Sequence, residues 1–106
     1  MPNHGTVSLT GKSGTTYGLN AWDRIDRFSA VGINYVMARF DGTSYHLIYA
    51  GETSDASSRP LNHERKPCFD KHNANMVLVR PEGDRTARLK IETDLRQAYD
   101  FPCNRQ

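Results

Sequence analysis

The chain has 106 residues, 37% of them hydrophobic and 25% charged, with a formal net charge of +2 at pH 7. That length suits one domain with a single modest core, and the composition excludes a disordered tail. No apolar run approaches a membrane span and Met1-Pro2-Asn3-His4 does not begin a secretory signal, so a cytoplasmic protein without a membrane partner is expected.

Charge is unevenly distributed. Residues 1–52 carry four basic and four acidic side chains, whereas residues 53–106 carry ten and eight. The positive excess lies among Arg59, Arg65, Lys66, Lys71, Arg80, Arg85 and Arg88, which permits contact with phosphates without demanding it. The two cysteines, Cys68 and Cys103, are expected as reduced thiols in an intracellular chain.

In chain order, "TVSLTGKSGTTYGLNAW" alternates around Gly11-Lys12-Ser13-Gly14 and predicts a β-hairpin. Its "GKS" is not a phosphate loop, because Thr6 stands where the earlier glycine is needed and a strand follows. "DRIDRFSAVG" reads as a loop or short helical turn ending at Gly32. "INYVMARF" and "YHLIYAG", separated by Asp41-Gly42, predict a central antiparallel hairpin. Pro60 is tolerated only in a first helical turn, so a helix is expected from about Arg59 to Arg65, with a second short one at "CFDKH". "NMVLVR" predicts another strand. A last helix follows "PEGD", roughly Arg85 to Tyr99, with Ala87, Ile91, Leu95 and Ala98 as its core face. The sum is a mixed α/β (α+β) single domain over residues 1–106, with a small, mostly antiparallel sheet flanked by helices.

Six polar residues from separate elements are candidates for a common cleft. Tyr35 and Tyr49 lie on the predicted hairpin, and Arg59 and His63 share one helical face. Glu92 borders the buried stripe of the last helix, and Asn104 follows it. Each has a structural alternative. The tyrosines suit a sheet, Glu92 between Arg88 and Arg96 suits an exposed ion-pair ladder, and Asn104 could cap helix carbonyls.

Taken in order, these residues resemble the GIY-YIG nuclease domain. "GINY" at Gly32 to Tyr35 stands for the first signature tripeptide and "YAG" at Tyr49 to Gly51 for the second. Arg59 and His63 match the arginine and histidine of the family's next helix, Glu92 its metal-ligating glutamate, and Asn104 its late asparagine. The resemblance covers Gly32 to Asn104, so residues 32–104 are expected as a GIY-YIG-like core and residues 1–31 as an extra N-terminal hairpin. It implies an endonuclease that hydrolyses phosphodiester bonds in DNA, single-stranded or structured, with RNA also open, acting as a monomer or homodimer. It also implies one Mg²⁺ or Mn²⁺ ion on Glu92, and nucleic-acid contacts from Arg59, Arg65, Lys66 and Arg88.

The chemistry fits those residue types. A carboxylate with water and phosphate oxygens is ordinary coordination for a hard divalent ion. Arg59 offers a forked, permanently charged donor to phosphate. A tyrosine serves as base only where nearby cations favour phenolate, which leaves open whether Tyr35 or Tyr49 does so. His63 would hydrogen-bond a tyrosine or relay its proton, and Asn104 would hold the site together. Two alternatives stand beside this reading. One is a non-catalytic nucleic-acid-binding domain using basic residues with Phe40, Tyr45 and Phe69. The other is a zinc-binding protein using His63, Cys68, His72 and Cys103.

Overall fold

The computed structural model of the chain describes residues 4–24, 28–57 and 64–105. Five strands, β1 (Thr6–Thr10), β2 (Thr16–Asp23), β3 (Ile33–Phe40), β4 (Tyr45–Thr53) and β5 (Met76–Pro81), form one sheet in the order β1-β2-β5-β3-β4. Every pairing is antiparallel, and the fold is α+β. Helix α1 (Lys66–Lys71) precedes β5; helix α2 (Arg85–Ala98) and a 3₁₀ turn (Pro102–Asn104) follow it.

Alternation along β3 explains how the sheet is covered. Val36 and Ala38 face one side, where they join Ala50, Leu78, Leu9, Leu19, Ile91, Leu95 and Phe101 beneath α2. Ile33, Tyr35 and Met37 face the other, with Ile48, Val77, Val79, Cys103 and the α1 residue Phe69. A strand covered on both faces tolerates an almost unbroken apolar sequence.

The β3–β4 pair is not wholly central. β3 lies inside the sheet, but β4 is an edge strand. Its apolar run reflects cover by other elements, because α2 and the 3₁₀ turn both pack on it. The opposite strands belong to the same sheet: β2 pairs with β5 from Asn20↔Val79 to Asp23↔Met76. Asp94 of α2 ties this hairpin down. Its carboxylate accepts hydrogen bonds from the Ser13 amide at 2.8 Å, the Ser13 hydroxyl at 2.7 Å and the Tyr17 hydroxyl at 2.7 Å.

The expected core face of α2 is corrected by the same interaction. The buried residues are Arg88, Ile91, Asp94 and Leu95, while Ala98 is exposed. Two polar side chains enter the protein because each finds partners there, and a search for apolar spacing passes over them. The helix begins as its sequence indicates, with the Asp84 carboxylate accepting from the Ala87 amide at 3.2 Å. Most of the helix expected over Arg59–Arg65 falls outside the described residues; Glu64 and Arg65 form a turn that enters α1.

The cysteines also differ from expectation. Cys68 and Cys103 form a disulfide across 5.9 Å between Cα atoms, joining α1 to the 3₁₀ turn. Their separation of 35 residues hides a contact that only the folded chain creates.

Hydrogen bonds from Tyr17 and Ser13 hold the Asp94 carboxyl below the usual carboxylate range. A depressed folded-state pKa contributes stability above the unfolded value, and that stability is lost as pH falls through the folded value. Asp94→Asn is therefore expected to be less stable than wild type at pH 7, with a shallower loss of stability below about pH 4. Urea midpoints measured from pH 7 to pH 2.5 check this.

Candidate active site

The site is built around the β4 edge. Tyr35 on β3 lies directly opposite Gly51 on β4, and its ring covers that glycine. A methyl group on Gly51 would meet Tyr35 Cζ and Oη at 2.7 Å and Tyr49 Cε2 at 2.8 Å. Glycine is required at this point by close packing, and the rings of Tyr35 and Tyr49 fill the space over it. Tyr35 is buried at 2% exposure, whereas Tyr49 is partly exposed. Their ring centroids are 6.2 Å apart, and Tyr49 packs on Phe69 of α1 at 5.4 Å.

Asn104 covers the open edge of the same strand. Its side chain accepts from the Ala50 amide at 2.7 Å and donates to the Ala50 carbonyl at 3.0 Å. One amide side chain thus supplies both bonds that a neighbouring strand would make to Ala50. Asn104 lies in the 3₁₀ turn beyond α2, so capping of helix carbonyls is not its role in these contacts.

Glu92 approaches β4 from the other face, on α2. It is partly buried, and burial pushes its carboxyl above the usual glutamate range; the Arg96 charge opposes this and the nearby Glu52 charge adds to it. Glu52 is the last side chain on the α2 face of β4 before Thr53, and its carboxylate accepts from Arg88 Nε at 2.9 Å. Glu52 and Glu92 are therefore electrostatic neighbours where α2 crosses β4, and Glu52 is the one paired with the buried Arg88.

That cation, Arg88, was expected to touch nucleic acid. Its side chain is instead 4% exposed and is held inside the protein. Besides Glu52, it donates to the carbonyls of Glu82 and Gly83 at 3.0 Å each. Gly32 leaves room for its guanidinium, since a Cβ there would collide with Arg88 Nη1 and the Glu82 carbonyl. Arg88 thus leaves the expected exposed ladder for a part-buried pair with Glu52, while the Arg96 charge still acts on Glu92. Asn34, opposite Glu52 on β3, donates to the Arg88 carbonyl at 2.9 Å, and its Oδ1 has no hydrogen-bond partner among the described residues.

The tyrosines and Glu92 occupy opposite faces of the edge strand, with Asn104 between them along the edge. Arg59 and His63 lie outside the described residues. Of the other residues expected to meet nucleic acid, Arg65 precedes α1, and Lys66 lies in its first turn, paired with Asp70 at 3.0 Å. Sequence reasoning passed over Glu52, whose place immediately after "YAG" was its available signal. It named Arg96 as a ladder partner of Glu92 alone and did not name Arg105. With Tyr99, Asp100 and Asn104, these two line a recess of about 130 Å³ beside the 3₁₀ turn, where Asp100 pairs with Arg105 at 3.4 Å.

Comparison with protein-family models, curated proteins and solved structures returned no match for this chain.

Gly51→Ala is expected to destabilise the fold by about 1–3 kcal/mol, because the added methyl forces the Tyr35 ring off its position. Denaturant unfolding measures the loss, and a changed near-ultraviolet tyrosine signal reports the displaced ring.

Proposed function

We propose that this chain is a divalent-metal-dependent endonuclease of the GIY-YIG kind, acting on DNA that is single-stranded or structured. The observation that carries the reading is that Glu92 and Asn104 both come to β4 from the chain after β5, Glu92 beside Glu52 and Asn104 at the Ala50 peptide, while Tyr35 and Tyr49 lie on the opposite face of the sheet.

The Glu92 environment suits a hard cation. Burial and the nearby Glu52 charge push the Glu92 carboxyl up, and a bound cation would favour its charged form. Glu92, with water and phosphate oxygens, would hold one Mg²⁺ or Mn²⁺ ion, which supplies charge neutralisation on the phosphate and a more acidic water. Glu52 stands ready as a neighbour, oriented by Arg88.

The roles of the protein groups follow from exposure and packing. Tyr49 is partly exposed and Tyr35 is buried over Gly51, and both lie on the face of the sheet opposite Glu92, where they support β4 from the α1 side. Asn104 holds the edge of β4 in register. Arg96 and Arg105 border a recess that Asp100, paired with Arg105 at 3.4 Å, also lines, which leaves Arg96 as the arginine there without a close ion pair among the described residues. By the sequence resemblance, Arg59 would steady charge on the scissile phosphate and His63 would bond a tyrosine hydroxyl.

A panel of labelled single-stranded, duplex and branched DNA and RNA, incubated with Mg²⁺ or Mn²⁺, tests the reading. Wild type is expected to cut at least one DNA substrate. Glu92→Ala is expected to bind it but cleave at least about a hundredfold more slowly. Equal cleavage by Glu92→Ala contradicts the metal-ligand role. Binding without cleavage by wild type would favour a non-catalytic nucleic-acid-binding domain.

A further inference from the structure

A second cluster lies behind the tyrosines, where α1 meets the 3₁₀ turn. Cys68, His72 and Cys103 each bring one ligand-type atom within 4.8 Å of the other two. Their placement has a simple local cause. Cys68 and His72 are one helical turn apart at the end of α1, so both side chains can face the same neighbour. That neighbour is the 3₁₀ turn, whose Cys103 is fully buried.

We propose that Cys68, His72 and Cys103 form a redox-gated site for a thiophilic divalent ion such as Zn²⁺, closed as the disulfide and opened by reduction. Two thiolates and one imidazole are a ligand set that such ions favour, with the fourth position taken by water. The sulfurs need only part to roughly 3.8 Å, the separation of two thiolates on one tetrahedral Zn²⁺ with Zn–S near 2.3 Å.

The two states perform the same mechanical task. The 3₁₀ turn is three residues long and carries Asn104, which pins Ala50 of β4. Cys103, beside Asn104, anchors that turn to α1 through Cys68. In a reducing compartment this covalent anchor would be lost, and one ion bridging the same sulfurs would restore it.

The chemistry balances. A dithiol donates two electrons and two protons to the disulfide, giving two cysteine thiols and its own cyclic disulfide. On metal binding each thiol releases its proton to solvent, and two sulfur–metal bonds form. Reoxidation reverses both steps and expels the ion.

Cobalt titration of the full chain tests the site. Protein is reduced with a water-soluble phosphine, which leaves no competing thiol, and Co²⁺ is added without oxygen. The reduced protein is expected to bind one equivalent, with a thiolate-to-cobalt charge-transfer band and the visible bands of tetrahedral cobalt, and Zn²⁺ should displace it. His72→Ala should weaken binding at least about tenfold. The oxidised protein and a Cys68→Ser, Cys103→Ser double variant should lack the charge-transfer band. Thermal melting supplies a second readout: Zn²⁺ should raise the melting temperature of reduced wild type but not of the double variant. The proposal is overturned if reduced protein binds neither ion more tightly than about 10 μM. Binding unaffected by His72→Ala, or equal in the oxidised protein, also overturns it. So does a reduced protein that stays unfolded with Zn²⁺ present.

Discussion

The pair of hydrogen bonds between the Asn104 side chain and the Ala50 peptide governs what the β4 edge can become. An open edge invites another strand, and a side-chain amide with one donor and one acceptor blocks that pairing at its middle. The same bonds fix the chain that follows α2. With them come Phe101, which enters the core beneath the helix, and Cys103, which reaches across to α1. Both faces of β4 are consequently covered, and Asn104 occupies its edge at Ala50.

The second constraint is the buried Arg88. A guanidinium taken out of water needs its donors matched, and Glu52 with the Glu82 and Gly83 carbonyls provides this. The arrangement binds α2 to β4 and to the turn that starts α2. It also explains Gly32, because the arginine passes through the space a side chain would occupy. Gly32 and Gly51 thus have the same kind of role at either end of the β3–β4 pair. One accommodates a cation on the α2 face, the other an aromatic ring on the α1 face.

How much of this was legible depended on the distance over which each signal acts. Alternation marked β1, β2 and β3, apolar and β-branched runs marked β4 and β5, and Asp84 marked the start of α2, because those cues are local. The sheet order was not legible, since the pairing of β2 with β5 joins segments far apart and leaves no trace in either one. The same holds for the Cys68–Cys103 bond. The face of α2 was misread for a different reason. Apolar spacing nominated Ala98, but burial followed hydrogen-bond satisfaction and chose Arg88 and Asp94. Among the candidate site residues, Tyr49, Glu92 and Asn104 were nameable from their order alone. The buried setting of Tyr35 and the carboxylate neighbour of Glu92 required the folded chain.

The central proposal is that a hard divalent ion would bind where α2 crosses β4. Paramagnetic broadening by substoichiometric Mn²⁺, followed by nuclear magnetic resonance on the oxidised protein, tests it most directly. Broadening should begin at Glu52 and Glu92, extend to Ala50 and Asn104, and spare Leu9 and the rest of β1. Broadening centred on another acidic group, such as Asp41 or Asp55, or none at all, would contradict the account.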